Sequence, residues 1–207
     1  MSKRSLESTV LVLNKEKSGE NFLKFELFCP NNGKIISLNR LSSKSPNSFL
    51  DLFDISTIHL TFPQLGAFAF IKDFHTLFHH QNISKNYNSF YYASLWMKIL
   101  SLNLEHIDNL KNLFSLTQKA LNAFNLSLKP QSIYLKTLYL FIRSEGYPIK
   151  EDWLPNLPQN LLTEAISILK NPLTLQETSD TVSEELIQNL YFWIKQKTDI
   201  ISIPISK

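Results

Sequence analysis

Residues 22–40, FLKFELFCPNNGKIISLNR, decide how the front of the chain is read. Leu23, Phe25 and Leu27 alternate with Lys24 and Glu26, the two-residue period of a half-buried strand. Asn32-Gly33 comes next. A type I′ hairpin turn needs positive φ at both central residues, and Asn-Gly tolerates that best. Lys34 to Arg40 then carries Ile36 and Leu38 on one face and reads as the returning strand.

Working outward, Thr9 to Leu13 is a β-branched and aliphatic run and predicts a strand. Lys15 to Glu20 is polar, holds Gly19 and predicts a turn. After the hairpin, Asn39 to Pro46 is a polar, basic loop closed by proline. Phe49 to Ile58 predicts a fourth strand, interrupted by Asp51 and Asp54. Leu65 to Phe74 fits a fifth strand or a short helix, and its apolar residues do not decide between them. Short strands, a hairpin and a polar loop in succession point to a small barrel, and five strands is the count of an OB fold.

Residues 79–88 are polar and mark a boundary. Beyond it the period changes to that of helices. Tyr91, Tyr92, Leu95, Trp96, Ile99 and Leu100 make the segment from Phe90 to Leu102 apolar almost all round, the pattern of a central helix. Ile107, Leu110, Leu113, Phe114, Thr117, Leu121 and Phe124 recur at three- and four-residue steps. A third helix opens at Lys129-Pro130, carries Tyr134, Leu135, Leu138, Phe141 and Ile142, and closes at Gly146 before Pro148. Tyr147 to Pro158 holds three prolines and predicts extended chain. Leu161 to Lys170 is a short helix stopped by Asn171-Pro172. Thr181-x-x-Glu184 is a capping box before Leu186, Ile187, Leu190, Trp193 and Ile194, which predicts a last helix. Residues 200–207 form a tail. The expectation is an α+β chain of two domains: a five-stranded OB-type barrel over residues 1–80 and an all-helical domain over residues 81–207.

Composition narrows the function classes. The 207 residues carry a formal charge of only +3, so a nucleic-acid role must rest on local clustering. Cys29 is the single cysteine, which excludes an internal disulfide and a multi-cysteine zinc site. With four glycines and no glycine-rich loop, Walker-type and dinucleotide-type phosphate cradles are excluded. The opening residues lack a secretory signal, and the longest apolar run, Leu65 to Ile71, is far short of a membrane span of about 20 residues. A cytoplasmic protein without membrane contact is expected.

Charge is uneven along the chain. Residues 1–50 hold eight basic against four acidic residues, and Lys111 to Arg143 holds five basic residues and no acid. Two candidate surfaces follow. Lys15, Lys17, Lys34, Arg40 and Lys44 suit a barrel that tracks phosphates while aromatic rings stack on bases; Phe22, Phe49 and Phe53 are the candidate rings, and burial in the barrel core is the first expectation for each. Lys111, Lys119, Lys136 and Arg143 suit a basic rim around an apolar groove that takes an acidic, hydrophobic peptide. Each set is equally the composition of an ordinary solvated face. Asp73, His75, His79 and His80 have metal-like spacing only if helical, and no third ligand is apparent; no metal is expected. Glu151-Asp152 reads as a solvated turn. No nucleophile-elbow sequence is present, and a non-enzymatic protein without cofactor or small-molecule substrate is expected.

The order of these features resembles the RecO family of bacterial recombination mediators over most of the chain. The resemblance runs through Gly19-Glu20, Phe22 to Phe28, Gly33, the loop Asn39-Arg40-Leu41-Ser42-Ser43-Lys44-Ser45, and Leu50 to Asp54. It continues through Tyr91-Tyr92-Ala93, Leu135-Lys136-x-Leu138 and Gly146-Tyr147-Pro148. It implies an N-terminal OB fold, a helical domain, and binding of single- and double-stranded DNA with annealing of complementary strands. It also implies partnership with RecR, docking on the acidic C-terminal tail of single-stranded-DNA-binding protein, assistance in loading RecA, and a nucleoid location. Arg40 and Lys44 fall in the family's DNA-contacting loop, and Lys136 falls where the family offers a basic residue to the tail. Two features depart from the pattern. Many relatives carry a four-cysteine zinc finger after the third helix, whereas Tyr147 to Gln159 has no cysteine. The basic loop also has fewer arginines, with Asn39 where glycine is common. The alternative expectation is a protein-interaction adaptor with an OB-like barrel and no nucleic-acid role.

Overall fold

The computed structural model describes residues 4–41, 50–63, 68–126, 129–172 and 177–203. Among the described residues five strands precede six α-helices: β1 Arg4–Ser18, β2 Phe22–Cys29, β3 Gly33–Arg40, β4 Ile55–Phe62, β5 Ala69–Phe78, then α1 Tyr87–Asn103, α2 Leu110–Leu126, α3 Pro130–Ser144, α4 Ile149–Asp152, α5 Gln159–Lys170 and α6 Asp180–Lys197. The chain is therefore α+β. It divides into two compact units, residues 1–80 with 100–114, and residues 81–99 with 115–207. Residues 100–114, which the sequence placed wholly in the helical part, cluster with the strands.

In the first unit the strands close into a barrel in the order β1-β2-β3-β5-β4. Closure depends on the length of β1. Its first half, Arg4 to Leu11, pairs antiparallel with β4, and its second half, Leu11 to Ser18, pairs antiparallel with β2. The register shifts between Val12 and Asn14, where an irregularity bends the strand from one neighbour to the other. A short parallel pair, Ser37 with Ala69 and Leu38 with Phe70, joins β3 to β5. Inside lie Val10, Val12, Leu23, Phe25, Leu27, Leu50, Ile58, Leu60 and Ala69, all buried. The alternation of Leu23, Phe25 and Leu27 thus points where the sequence places it.

Three expectations in this unit are corrected. Lys15 to Ser18 is not a turn but the end of β1, paired with β2, and the turn begins at Gly19. The hairpin does not use a two-residue type I′ turn. Asn32 N–H reaches Cys29 O at 3.3 Å across Pro30 and Asn31, and Gly33 follows at φ 70°. Pro30 fixes a negative φ at the second turn position, so the left-handed step falls on the glycine alone. The fourth strand is Ile55–Phe62, not Phe49 to Ile58. Asp51 and Asp54 are the reason, because they close a turn rather than interrupt a strand. Asp51 N–H donates to Asp54 Oδ2 at 2.9 Å, Asp54 N–H donates to Asp51 O at 3.2 Å, and Phe53 sits at φ 69° between them. Phe53 N–H donates to Val12 O and Val12 N–H to Asp54 O, so this turn plugs the irregularity of β1. Of the segment 65–74, left open between strand and helix, residues 69–74 lie in strand β5, and residues 65–67 are outside the described residues.

In the second unit α3 is the most enclosed helix, with Gln131 to Leu135, Leu138, Phe141 and Ile142 all buried. The ring of Trp96 on α1 meets Phe141 at 5.5 Å, and its indole N–H donates to Thr117 Oγ1 at 3.3 Å. Gly146, at φ 86°, closes α3; its N–H reaches Arg143 O, and Tyr147 N–H reaches Ile142 O. Tyr147 to Pro158 is not extended. Pro148 caps α4, and Pro155 stands inside a 3-10 turn, Leu154–Asn156, at positions where a missing N–H costs no bond. Burial of Ile149 and Trp153 holds the segment in place, with Trp153 Nε1–H donating to Asn189 Oδ1 at 2.9 Å. The last helix starts earlier than the capping box at Thr181 predicts. Ser179 is the N-cap, accepting from Val182 N–H, and Thr181 already lies in the first turn.

Candidate nucleic-acid interface

Cross-strand partners point to the same side of a sheet, so the register sorts the basic residues by face. Lys15 and Lys17 stand opposite Phe25 and Leu23, on the side of the barrel core at the far end of β1. Lys15 is tied to Asp51 at 3.2 Å; Lys17 is exposed. Lys34 and Arg40 stand opposite Phe28 and Phe22, on the outer side. They sit six residues apart on β3, about 20 Å. Lys44 lies outside the described residues, as does Phe49. The five candidates therefore do not form one rim. Phe53 is buried and is not a stacking surface.

The outer face of β2 and β3 is divided in two. One half is covered. Phe28 meets the ring of Phe114 at 5.2 Å, Lys34 Nζ donates to Ser101 O at 3.0 Å and pairs with Glu105 at 3.1 Å, and Ser101 Oγ–H donates to Glu26. Lys34 holds the Glu105 carboxyl below its ordinary range through that hydrogen bond. Here Lys34 fastens residues 100–114 to the barrel.

The other half is open and chemically different. Phe22 of β2 and Phe70 of β5 meet edge on, with ring centroids 6.3 Å apart. Arg40 is opposite Phe22, and Leu38 lies beside Phe70. Phe70 is 38% exposed, Phe68 next to it 40%, and Arg40 is exposed. Lys24 completes the row opposite Leu38; its ammonium bonds Glu16 at 2.8 Å, and that bond raises its pKa. Elsewhere on the barrel's outside, Glu7, His59 and Asp73 form one cross-strand row over β1, β4 and β5. Carboxylates thus mark that face, while the open half of β2 and β3 presents rings and an unburied guanidinium. Phe70 escaped the sequence reading because residues 65–74 were undecided between strand and helix. Once Ala69 to Lys72 is read as strand, its alternation puts Phe70 outside.

The second set of cations also separates. Lys111 lies in the first turn of α2, within the first unit; Lys119, Lys136 and Arg143 belong to the second. Lys136 and Arg143 are seven residues apart on α3 and share a face with Leu140, which is partly exposed. Lys136 Nζ donates to Asn171 O at 2.8 Å, and partial burial lowers its pKa. Two of its three N–H donors remain for a carboxylate.

The histidine spacing forms no helical pair, since His75 is on β5 and His79 follows the strand with Nδ1 3.0 Å from Asp54 Oδ1. Among the described residues no group of three or more His, Cys, Asp or Glu side chains is placed to hold a metal ion. Asp152 accepts the Trp193 indole N–H at 3.1 Å, a structural task rather than a solvated turn. No helix among the described residues is long and apolar enough to cross a membrane. Compared with models of known protein families and with curated proteins, the chain matches none.

Proposed function

We propose that this chain is a non-enzymatic DNA-binding mediator of the RecO type, whose barrel is an OB fold. The strand order β1-β2-β3-β5-β4, the bent β1 shared by β2 and β4, and the parallel β3–β5 pair support that reading of the barrel. OB folds take oligonucleotides on the β2–β3 face and the adjoining loops. The observation that carries the reading is the open half of that face, where Phe22 and Phe70 lie beside Arg40. Rings give bases a sequence-tolerant stacking surface, and a guanidinium holds a phosphate. Binding of single- and double-stranded DNA, annealing, cooperation with RecR, capture of the acidic tail of single-stranded-DNA-binding protein and a nucleoid location belong to the same proposal. The stripe Lys136-Leu140-Arg143 suits that tail, with cations for its carboxylates and an aliphatic side chain between them.

Titration of a fluorescent single-stranded oligonucleotide at rising salt tests it. Affinity should fall steeply as salt rises, because each neutralised phosphate releases counterions. An adaptor without nucleic-acid function predicts no salt-sensitive binding at all, and that result would overturn the proposal.

A further inference from the structure

On the second unit, five tyrosines from α1, α3 and α6 make a continuous chain of rings. Tyr87 stacks on Tyr91 at 6.2 Å and 12°, Tyr91 meets Tyr92 at 5.1 Å, Tyr92 meets Tyr134 at 5.4 Å, and Tyr134 meets Tyr191 at 6.4 Å. The inner end is saturated, since the hydroxyls of Tyr134 and Tyr191 bond each other. The outer end is not. Tyr91 Oη and Gln131 Oε1 are buried without a hydrogen-bond partner, and Gln131 as a whole is 2% exposed. Buried polar atoms are nearly always paired, so each of these orphans calls for an explanation.

Glu184 lies against Tyr92 and Gln131. Its Oε1 accepts from Tyr92 Oη–H at 3.4 Å and from Gln131 Nε2–H at 3.5 Å, both long bonds. Among the described residues Glu184 makes no ion pair, and no donor reaches its Oε2. Tyr91 meets the ring of Tyr92, whose hydroxyl donates to Glu184, and burial is the main cause that raises the Tyr91 phenol pKa. The sequence around Glu184 is one-sided, because Glu177, Asp180, Glu184 and Glu185 precede any Lys or Arg on α6. Lys129, the nearby cation, is held by Asp180 at 3.9 Å and by Thr178 O at 3.1 Å.

Two acceptors, Glu184 Oε2 and Gln131 Oε1, thus lack a donor on the same unit as the exposed ring faces. Tyr87 is 80% exposed and offers its face to solvent. We infer that Tyr87, Tyr91, Gln131 and Glu184 form a receptor for an arginine side chain presented by a partner protein. A guanidinium stacks flat on an aromatic ring and carries donors in a rigid planar fork, so it can answer a carboxylate and an amide oxygen at once. An ammonium has no plane to stack. This surface shares no residue with the DNA face or with the Lys136-Leu140-Arg143 stripe, and selects the opposite charge from both.

The test is NMR of the full chain with ring-labelled tyrosine, titrated with the peptide Ac-Gly-Arg-Gly-amide and with its citrulline counterpart, which keeps the shape and loses the charge. Saturable shifts of Tyr87 and Tyr91 with the arginine peptide are expected, about tenfold weaker with citrulline and about tenfold weaker in Glu184→Gln. Tyr87 and Glu184 are exposed, so Tyr87→Ala and Glu184→Gln should keep the wild-type melting temperature. Absence of saturable shifts would mean that ordered water satisfies the orphan atoms, and the proposal would fall. Equal response to citrulline, or an undiminished response in Glu184→Gln, would overturn it too. So would shifts produced by a single-stranded oligonucleotide and not by the peptide, since Tyr87 would then be a base-stacking surface.

Discussion

Phe22 and Phe70 touch edge to face although β3 lies between their strands. Two large apolar rings meeting on the outside of a barrel do nothing for its core, which Phe25 and its neighbours fill from the other side. The pair therefore separates binding from stability. Replacing Phe70 with Ala should weaken single-stranded oligonucleotide binding by about 1–3 kcal/mol, the range for one stacked base. Its melting temperature should stay close to wild type, because Phe70 is partly exposed. Phe25→Ala should instead cost about 3–5 kcal/mol of stability, the usual penalty for emptying a buried phenylalanine site. Fluorescence anisotropy and thermal melting on both variants check this. Undiminished affinity in Phe70→Ala would remove the rings from the binding surface.

Arg40 and Lys34 share β3 and a face, yet their prospects differ. Lys34 is engaged with Ser101 and Glu105, whereas Arg40 is exposed beside Phe22. Arg40→Glu should lower oligonucleotide affinity at low salt and flatten the dependence of log K on log salt by about 0.7, one phosphate's share for single strands. Lys34→Gln should leave that slope alone and loosen residues 100–114, detectable as faster amide hydrogen exchange there. The reverse assignment of effects would show that the covered half of the face is the one that opens to DNA.

Lys136 and Arg143 divide the acidic-peptide surface in a way that mutation can read. Arg143→Glu removes an exposed cation and should weaken capture of an acidic, hydrophobic peptide without affecting folding. Lys136→Glu should weaken it further and also destabilise, because it loses the bond to Asn171 O and leaves a half-buried carboxylate beside a carbonyl oxygen. Lys136→Met separates these effects, keeping the stem packed while removing the charge. If Lys136→Met binds the peptide as wild type does, the stripe is not its receptor.

Much of this was legible in the chain. Alternation at Leu23, Phe25 and Leu27 and the three-four spacing from Ile107 to Phe124 found the strands and helices because those patterns record which side is buried. What escaped was decided by contacts distant in sequence. Asp51 and Asp54 looked like interruptions of a strand, since nothing local says that their turn fills the bend of β1 at Val12. The basic residues looked like one set because sequence counts charge without sides; register put Lys15 and Lys17 on one face of the sheet and Arg40 on the other. Phe70 was hidden behind four apolar neighbours that fit either secondary structure. The Glu184 carboxylate reads in the sequence only as half of a capping box, because its ring partners come from helices whose packing the sequence does not state.

The same turn that misled the strand assignment makes stability depend on pH. Asp54 is buried beneath the plug in β1, and burial, the largest influence, raises its carboxyl above the ordinary range, against the pull of the Asp51 N–H and of His79. A raised folded-state pKa means that the folded chain binds the proton more tightly than the unfolded one. Its contribution to stability is thus fully present below the unfolded carboxylate pKa, about 3.9, and is lost as pH rises through the higher folded value. Asp54→Asn keeps a carbonyl oxygen for the Asp51 N–H and removes the titration. Plotted from about pH 4 to about pH 7, the urea midpoint of the variant minus that of wild type should grow more positive with pH. Parallel profiles would show that Asp54 carries the same charge, folded and unfolded, throughout that range.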